Sequence, residues 1–386
     1  IFTDILLVIT LVSWGLSTVS GIKFQISTIR NYWIFPALFG VCIISAYLSK
    51  NQMAAAFGVI KYIELFLFGV FIARGVNLKS IWNIACILLS IGVLFESTLA
   101  LLQFYQQSSL GGIFWFFGER TFTGQTPGIA NALLDGQLVL RPYGTFSHPN
   151  VLAGYLLIAT TTILTMKNKN TFFFVILLAG SIALFFTMSR VAIILWSILV
   201  AVSFLTHFWK IFRKKKLAIL LTSLRSIATG FIFLTAPLGN RITHITLAEE
   251  SFVRRVELIN ATASMVKNHS TLGVGPNNFI VNLPMYQQTK STILHLQPVH
   301  NIYFLMLSET GVIGFTLFLW FIIKTYQRIM NNESGIKPLI RNSKFMILTV
   351  VLLIGFFDHY LLTLQQGQLL FAFVLGLCWN KFNPWK

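Results

Sequence analysis

Long apolar runs recur along the whole chain, and most of them are separated only by short polar connections. Each run has about the 20 residues that a helix needs to cross a hydrocarbon core of roughly 30 Å. The runs are too long and too uniformly apolar for barrel strands, so they predict membrane-spanning helices. The eleven predicted spans are 3–20, 31–48, 54–73, 80–105, 150–166, 171–188, 190–208, 217–236, 300–323, 344–360 and 365–380.

Two longer polar segments, 106–149 and 237–299, interrupt this pattern. Both are rich in Gly, Pro, Asn and Thr, which predicts turns and irregular structure. The chain has no convincing internal repeat, linker or soluble domain. We therefore predict an all-α polytopic fold with a single transmembrane domain, 1–386, in which the two polar segments cover a cavity.

Composition supports a membrane protein, because 55% of the residues are hydrophobic, 10% are charged and 37 are Phe. A mean hydropathy of +0.75 lies far outside the range of soluble domains. Cys42, Cys86 and Cys378 all fall in predicted spans, which indicates small core residues rather than a disulfide or metal framework.

The distribution of Lys and Arg predicts the orientation. The densest cluster, Lys210 with 213–216, should face the cytoplasm, and alternation then places 18 of the 29 basic residues in inner connections. This puts the C-terminus in the cytoplasm. It puts Ile1 outside, so we expect a twelfth helix before it, or alternatively a cleaved signal peptide. The net charge of +18 is thus mostly topological, and we expect no nucleic-acid partner.

Three patterned blocks carry the candidate chemistry. They are RPYGTFSHPNVLA at 141–153, RVELINATASMVKNHSTLGVGPNNF at 255–279 and HNIYFLMLSETGVIG at 300–314, accompanied by a Ser189-Arg190 pair at the head of a helix. Together they resemble the O-antigen ligase and O-antigen polymerase family of bacterial envelope glycosyltransferases. The resemblance covers 141–325, including the long segment 237–299.

The resemblance implies a twelve-helix, GT-C-like enzyme of the bacterial cytoplasmic (inner) membrane. Such an enzyme transfers a glycan from undecaprenyl diphosphate to a hydroxyl acceptor on the external, periplasmic side, without a metal or other cofactor. The acceptor is a lipid core in ligases and another glycan in polymerases, and the sequence leaves both open. A lipid-linked glycan transporter or flippase, or a non-catalytic envelope protein, is the alternative.

The chemistry also follows from the reaction itself. Displacing a lipid diphosphate requires cations to hold the leaving group, and Arg suits this task because its planar fork donates two parallel hydrogen bonds and stays charged. Arg190 and Arg255 are the candidates for the donor diphosphate, with Arg254 as a less favoured neighbour. The alternatives are an interfacial Arg190 at a helix end and a solvated Arg255 paired with a nearby glutamate. Arg255 begins a stretch in which apolar residues recur at helical spacing, which predicts an amphipathic helix along the membrane surface. They are Val256, Ile259, Ala263 and Val266.

A base must also take a proton from the acceptor hydroxyl, and His300 is the candidate. As a lone histidine at a helix start, it could instead be a polar cap. Asp358 and His359 could orient His300 or contact the acceptor. Glu309 is a further possible site residue, although bracing of its helix explains it better.

His148 is also a possible site residue, although its imidazole could simply satisfy loop backbone. The central hypothesis is that Arg190, Arg255 and His300 converge on one outward-facing pocket.

The remaining polar residues in the spans predict structure. Lys61 and Glu64, three residues apart, should pair. Arg225 should face the bundle interior, and Gly311 and Gly314 should allow close helix packing. The outer carboxylates lack the close spacing of a divalent-metal diphosphate site, so we expect no metal. They are Glu119, Asp135, Glu249, Glu250 and Glu257.

Overall fold

The computed structural model describes residues 2–19, 33–76, 78–134, 136–164, 171–212, 250–287, 296–331 and 338–380. The helices are α1 (Phe2–Val19), α2 (Ile34–Tyr47), α3 (Gln52–Val70, continued by a π turn, Phe71–Gly75), α4 (Leu78–Gln106), α5 (Pro149–Leu164), α6 (Thr171–Phe186), α7 (Arg190–Phe212), α8 (Glu250–Asn268), α9 (Phe279–Asn282), α10 (Ile302–Met330), α11 (Pro338–Gly355), α12 (Tyr360–Thr363) and α13 (Gln365–Trp379). Short 3₁₀ turns lie at Gly112–Phe117 and Leu283–Met285. A single hairpin pairs β1 (Asn131–Leu134) with β2 (Gln137–Leu140) in the described residues.

The prediction of an all-α fold is confirmed. Ten of the eleven predicted spans coincide with helices, and the other, 217–236 with Arg225, lies outside the described residues, as does the basic cluster 213–216. Within the described ranges, three helical segments have the length and composition to cross a membrane, at Gln52–Gly75, Cys86–Gln106 and Ile302–Met330. Several shorter apolar helices accompany them. The protein is therefore an integral membrane protein, and the count of eleven spans stays a prediction.

The chain divides into two compact units. The first contains 1–81 and 248–386, and the second contains 82–247. In the first unit, α2, α3, α10 and α13 pack together, and α8 lies against α10. One hydrophobic core combines buried apolar residues of α8, of the segment that follows it and of the start of α10. They are Leu258, Ala261, Met265, Val274, Phe279, Leu283, Val299 and Leu305. This core fixes α8 to the first turns of α10.

Helix α10 is broken at Gly311, whose φ of 66° and ψ of −174° are non-helical. The segment 270–275 docks into the break through backbone hydrogen bonds, from the Val274 amide to the Ser308 carbonyl (2.9 Å) and from the Val312 amide to the Ser270 carbonyl (2.8 Å). A Cβ on Gly311 would collide with the Thr271 backbone. Glycine is thus required at position 311 because the backbone conformation and the close approach of segment 270–275 leave no room for a side chain. This role differs from the predicted one in helix packing.

Turns and irregular structure were expected for most of the long polar segment 237–299, together with an amphipathic helix beginning at Arg255. The helix is confirmed, because residues Glu250–Asn268 form the 19-residue helix α8, which starts five residues earlier than expected. Its buried positions recur at helical spacing, with Leu258, Ala261 and Met265 facing the core. Residues 237–249 and 288–295 lie outside the described part.

The second unit holds α4 to α7 and the hairpin. Segment 106–149 was predicted to be irregular, yet Asn131 pairs with Leu140 and Leu134 with Gln137 in antiparallel register. The sequence NALLDGQLVL carries the signal that was missed, since Asp-Gly between short apolar runs favours a two-residue hairpin turn. Gly136 has the positive φ, 82°, that such a turn requires.

The predicted pairing of Lys61 with Glu64 is confirmed, with 2.8 Å between Nζ and Oε2 across one turn of α3. Cys42, Cys86 and Cys378 are free thiols, as expected for residues inside helices.

Candidate functional site

His300 lies immediately before α10, and the cap of that helix is its neighbour. The Asn301 side chain accepts hydrogen bonds from the amides of Tyr303 (2.8 Å) and Phe304 (3.0 Å), which is the usual role of an N-cap residue. Its amide nitrogen donates to the Phe356 carbonyl at 3.0 Å. Asn301 therefore performs the capping that was the alternative role for His300, and it also ties the start of α10 to the turn after α11.

That turn brings Asp358 and His359 next to His300. The His300 Nδ1 lies 3.6 Å from the Asp358 Oδ1, and the centroids of the two imidazole rings are 5.0 Å apart. Asp358 Oδ1 accepts the His359 backbone amide at 2.8 Å, and His359 Nδ1 lies 2.6 Å from the Thr363 Oγ1. Residues that are almost sixty positions apart in the sequence thus form one cluster.

Burial is the main cause that lowers the pKa of His359 to about 4. The charge of Asp358 opposes this shift, whereas the electrostatic effects of His300 and Arg255 contribute to it. At neutral pH the His359 imidazole is therefore uncharged. The influence of Arg255 also shows that its guanidinium lies within electrostatic range of the histidine cluster. The first unit thereby brings together two imidazoles and one carboxylate, and the charge of Arg255 acts on His359.

Arg255 and its neighbour Arg254 are both half-buried on the second turn of α8. On the far side of this helix, Val256 and Ile259 leave about two fifths of their surface exposed. Helix α8 thus has one apolar face against the core and a second that points away from it. An exposed apolar face is typical of a helix lying in a membrane interface.

Glu309 is buried in α10, nine residues beyond His300, a helical rise of about 13 Å. Its Oε1 accepts the Phe279 amide at 3.3 Å, and its Oε2 lies 3.5 Å from the Tyr62 hydroxyl. Its backbone carbonyl accepts the Gly275 amide at 2.9 Å. Through these contacts Glu309 holds the docked segment against α10, a bracing role like the one that explained this residue better in the sequence analysis.

Arg190 belongs to the second unit, where it is the first residue of α7. The preceding turn contains Met188 in a left-handed conformation, with φ 53°. Arg141 holds this turn, because its Nε donates to the Thr187 carbonyl at 2.8 Å, while its Nη2 donates to the Asn150 side chain at 2.6 Å. The block at 141–150 thus positions the turn from which Arg190 projects.

His148 lies in the same block, and its Nδ1 accepts the Asn150 amide at 3.1 Å. Pro149 follows as the first residue of α5, a position that proline favours. The imidazole therefore accepts a backbone hydrogen bond of its own loop, which is the role given above as the alternative to a site residue.

Two buried polar residues of α4 were not singled out from the sequence. Glu96 accepts the amide and the hydroxyl of Thr145 (3.0 and 2.5 Å), and Gln103 accepts the amides of Tyr143 (3.0 Å) and Gly144 (2.8 Å). They lie seven residues apart, on one face of α4. That spacing of two polar groups in an apolar run was the available signal.

The fold and these polar clusters define an integral membrane protein that carries cationic and imidazole groups at helix starts. Residues 172–319 match the family described as O-antigen ligase, which confirms the resemblance and implies a transferase that acts on a lipid-linked glycan and an acceptor. The match contains Arg190, Arg255 and His300, whereas the 141–150 block and Asp358 lie outside it. No curated protein matches the chain.

Proposed function

We propose that the protein is a metal-independent, inverting glycosyltransferase that moves a glycan from undecaprenyl diphosphate to a hydroxyl acceptor. The reaction would occur at the external face of the cytoplasmic membrane, within a single GT-C-like membrane domain whose C-terminus is cytoplasmic. The observation that carries the proposal is the grouping of His300, Asp358 and the charge of Arg255 in a chain with an O-antigen ligase match.

His300 is the general base in this proposal. The 3.6 Å between its Nδ1 and the Asp358 carboxylate is too long for a hydrogen bond, but catalytic hydrogen bonds often tighten only when substrate binds. In the tightened state, Asp358 would accept the Nδ1 proton and leave the lone pair on Nε2 for the acceptor hydroxyl. The carboxylate would then stabilise the imidazolium that forms.

Arg190 and Arg255 are assigned to the donor diphosphate, and Arg254 has a secondary role at most. During transfer the acceptor oxygen forms a bond to the anomeric carbon, while the bond from that carbon to the diphosphate breaks. The acceptor proton passes to His300, and undecaprenyl diphosphate leaves with the bonding electron pair. Bidentate arginine contacts would stabilise the charge that develops on this leaving group.

The test is transfer by protein purified in detergent from a defined lipid-linked oligosaccharide, with products identified by mass spectrometry. Elongation of the donor would identify a polymerase, and capture by a lipid core acceptor would identify a ligase. His300→Ala should lower the rate of either product by about 10²–10⁴-fold, whereas His269→Ala should not, because His269 is an exposed residue directly after α8. Normal transfer by His300→Ala would refute the base assignment.

The same experiment separates transfer from transport. A flippase or a non-catalytic envelope protein would yield no covalent glycan product. Transporters usually bind substrate near the midplane between repeated halves, whereas the residues that support transfer lie at the starts of helices α7 and α10 and in the turn before α12.

A further inference from the structure

His300, Asp358 and His359 have the spacing of a metal site. One ligand atom from each residue lies within 4.8 Å of the others. Two imidazoles and one carboxylate are donors that transition metals bind. At metal–ligand distances of about 2.0–2.1 Å, two ligands of a tetrahedral ion lie about 3.4 Å apart. The observed 3.6 Å between His300 Nδ1 and Asp358 Oδ1 is close to this value and too long for a direct hydrogen bond.

The donor atoms are also in a suitable state. His300 Nδ1 is buried and has no hydrogen-bond partner among the described residues. His359 Nδ1 lies 2.6 Å from the Thr363 Oγ1, a contact that can hold the tautomer with the lone pair on Nε2. Metal-binding histidines usually have such a second hydrogen bond.

We propose that this triad binds a divalent transition-metal ion such as Zn²⁺, and that the bound ion inhibits glycan transfer. The inhibition rests on the proposed role of His300 as the base. A neutral imidazole has one N–H and one lone pair, so a metal on Nδ1 places the proton on Nε2. That nitrogen can then no longer accept the acceptor proton. Metal binding and base catalysis therefore exclude each other, and transfer itself needs no metal.

The surroundings predict the selectivity. The Arg255 charge acts on this cluster and opposes any cation. Mg²⁺ and Ca²⁺ require more oxygen ligands than one carboxylate supplies, so they should not bind. Zn²⁺, Co²⁺ and Cu²⁺ gain enough from imidazole coordination to be the expected ligands.

The first test measures binding without any assay of transfer. The full chain, purified in detergent with its affinity tag removed and its metals chelated, is titrated with Co²⁺. We expect one equivalent to produce the visible absorption of a four-coordinate site and to be displaced by Zn²⁺. Asp358→Asn and His359→Ala should each weaken this binding by more than about 100-fold, since even second-shell losses cost 10–100-fold. His269→Ala, the matched control, should bind as the wild type does.

An absent band, or equal binding by wild type, Asp358→Asn and His359→Ala, would mean adventitious ions only and would overturn the proposal. The second test adds Zn²⁺ to the transfer reaction, where inhibition reversed by a chelator is expected. Binding at the triad without inhibition would overturn the inhibitory role. A wild type that binds Co²⁺ normally but never transfers glycan would instead refute the proposed function, so the two failures are distinguishable.

Discussion

Replacing Gly311 by Ala should destabilise the protein through the break in α10. Gly311 combines φ 66° with ψ −174°, a region that essentially only glycine occupies, at a cost of about 1–3 kcal/mol for another residue. The added Cβ would also meet the Thr271 backbone, so the docked segment 270–275 must move.

The movement would weaken the hydrogen bonds from the amides of Val274, Gly275 and Val312, each worth about 0.5–1.5 kcal/mol. Together with the backbone strain, the expected loss is about 2.5–7.5 kcal/mol if all three bonds are lost.

Reversible unfolding in mixed detergent micelles, followed by circular dichroism, measures this loss directly. Gly40→Ala is the matched control, because Gly40 lies within α2 with open space around its Cα. That substitution should be neutral or stabilising by up to about 1 kcal/mol. If Gly311→Ala were as stable as Gly40→Ala, the docking of segment 270–275 into α10 would be wrong.

Three further outcomes are expected. His300→Ala should lower kcat by about 10²–10⁴-fold in the transfer assay. Asp358→Asn should cause a loss of similar size, because a carboxamide cannot stabilise the imidazolium and favours the wrong tautomer of His300. Because the pKa of His359 is lowered to about 4, the unfolded chain binds a proton at this residue more readily than the folded chain does below pH 6.5. The free energy of unfolding should therefore fall by roughly 2–3 kcal/mol between pH 6.5 and 4. His359→Gln should flatten this pH dependence in unfolding measurements. Arg141→Lys should raise the KM for the lipid-linked donor more than it lowers kcat. The reason is that a single lysine amine cannot bind both the Thr187 carbonyl and the Asn150 side chain in place of the guanidinium. An unchanged KM would show that Arg141 does not position Arg190.

Hydropathy predicted the helices well because lipid imposes one rule on every span, namely that backbone groups be satisfied within the helix. It could not predict where that rule is relaxed. The break at Gly311 depends on contacts with segment 270–275 of the same chain, about forty residues earlier, and the sequence of α10 alone does not specify that pairing. The hairpin at 131–140 did carry a local signal, Asp-Gly, but it was outweighed by the overall turn-rich composition of its segment.

In the candidate site, too, local sequence indicated the residues, whereas long-range contacts set their distances. Residue types and family blocks indicated His300, Arg255 and Asp358 as candidates. The distances among them depend on how the turn after α11 meets the start of α10, a long-range contact made by Asn301. Glu96 and Gln103 escaped notice because polar side chains buried in an apolar helix show their purpose only when the loop they bind is known.

The break in α10 makes one short segment responsible for both halves of that helix. Segment 270–275 donates to the Ser308 and Glu309 carbonyls before the break and accepts the Val312 amide after it. The same segment follows directly on α8, which carries Arg255, while the first half of α10 begins beside His300. A substitution that displaces this segment should therefore disturb the arginine and histidine parts of the candidate site together, although it touches neither of them.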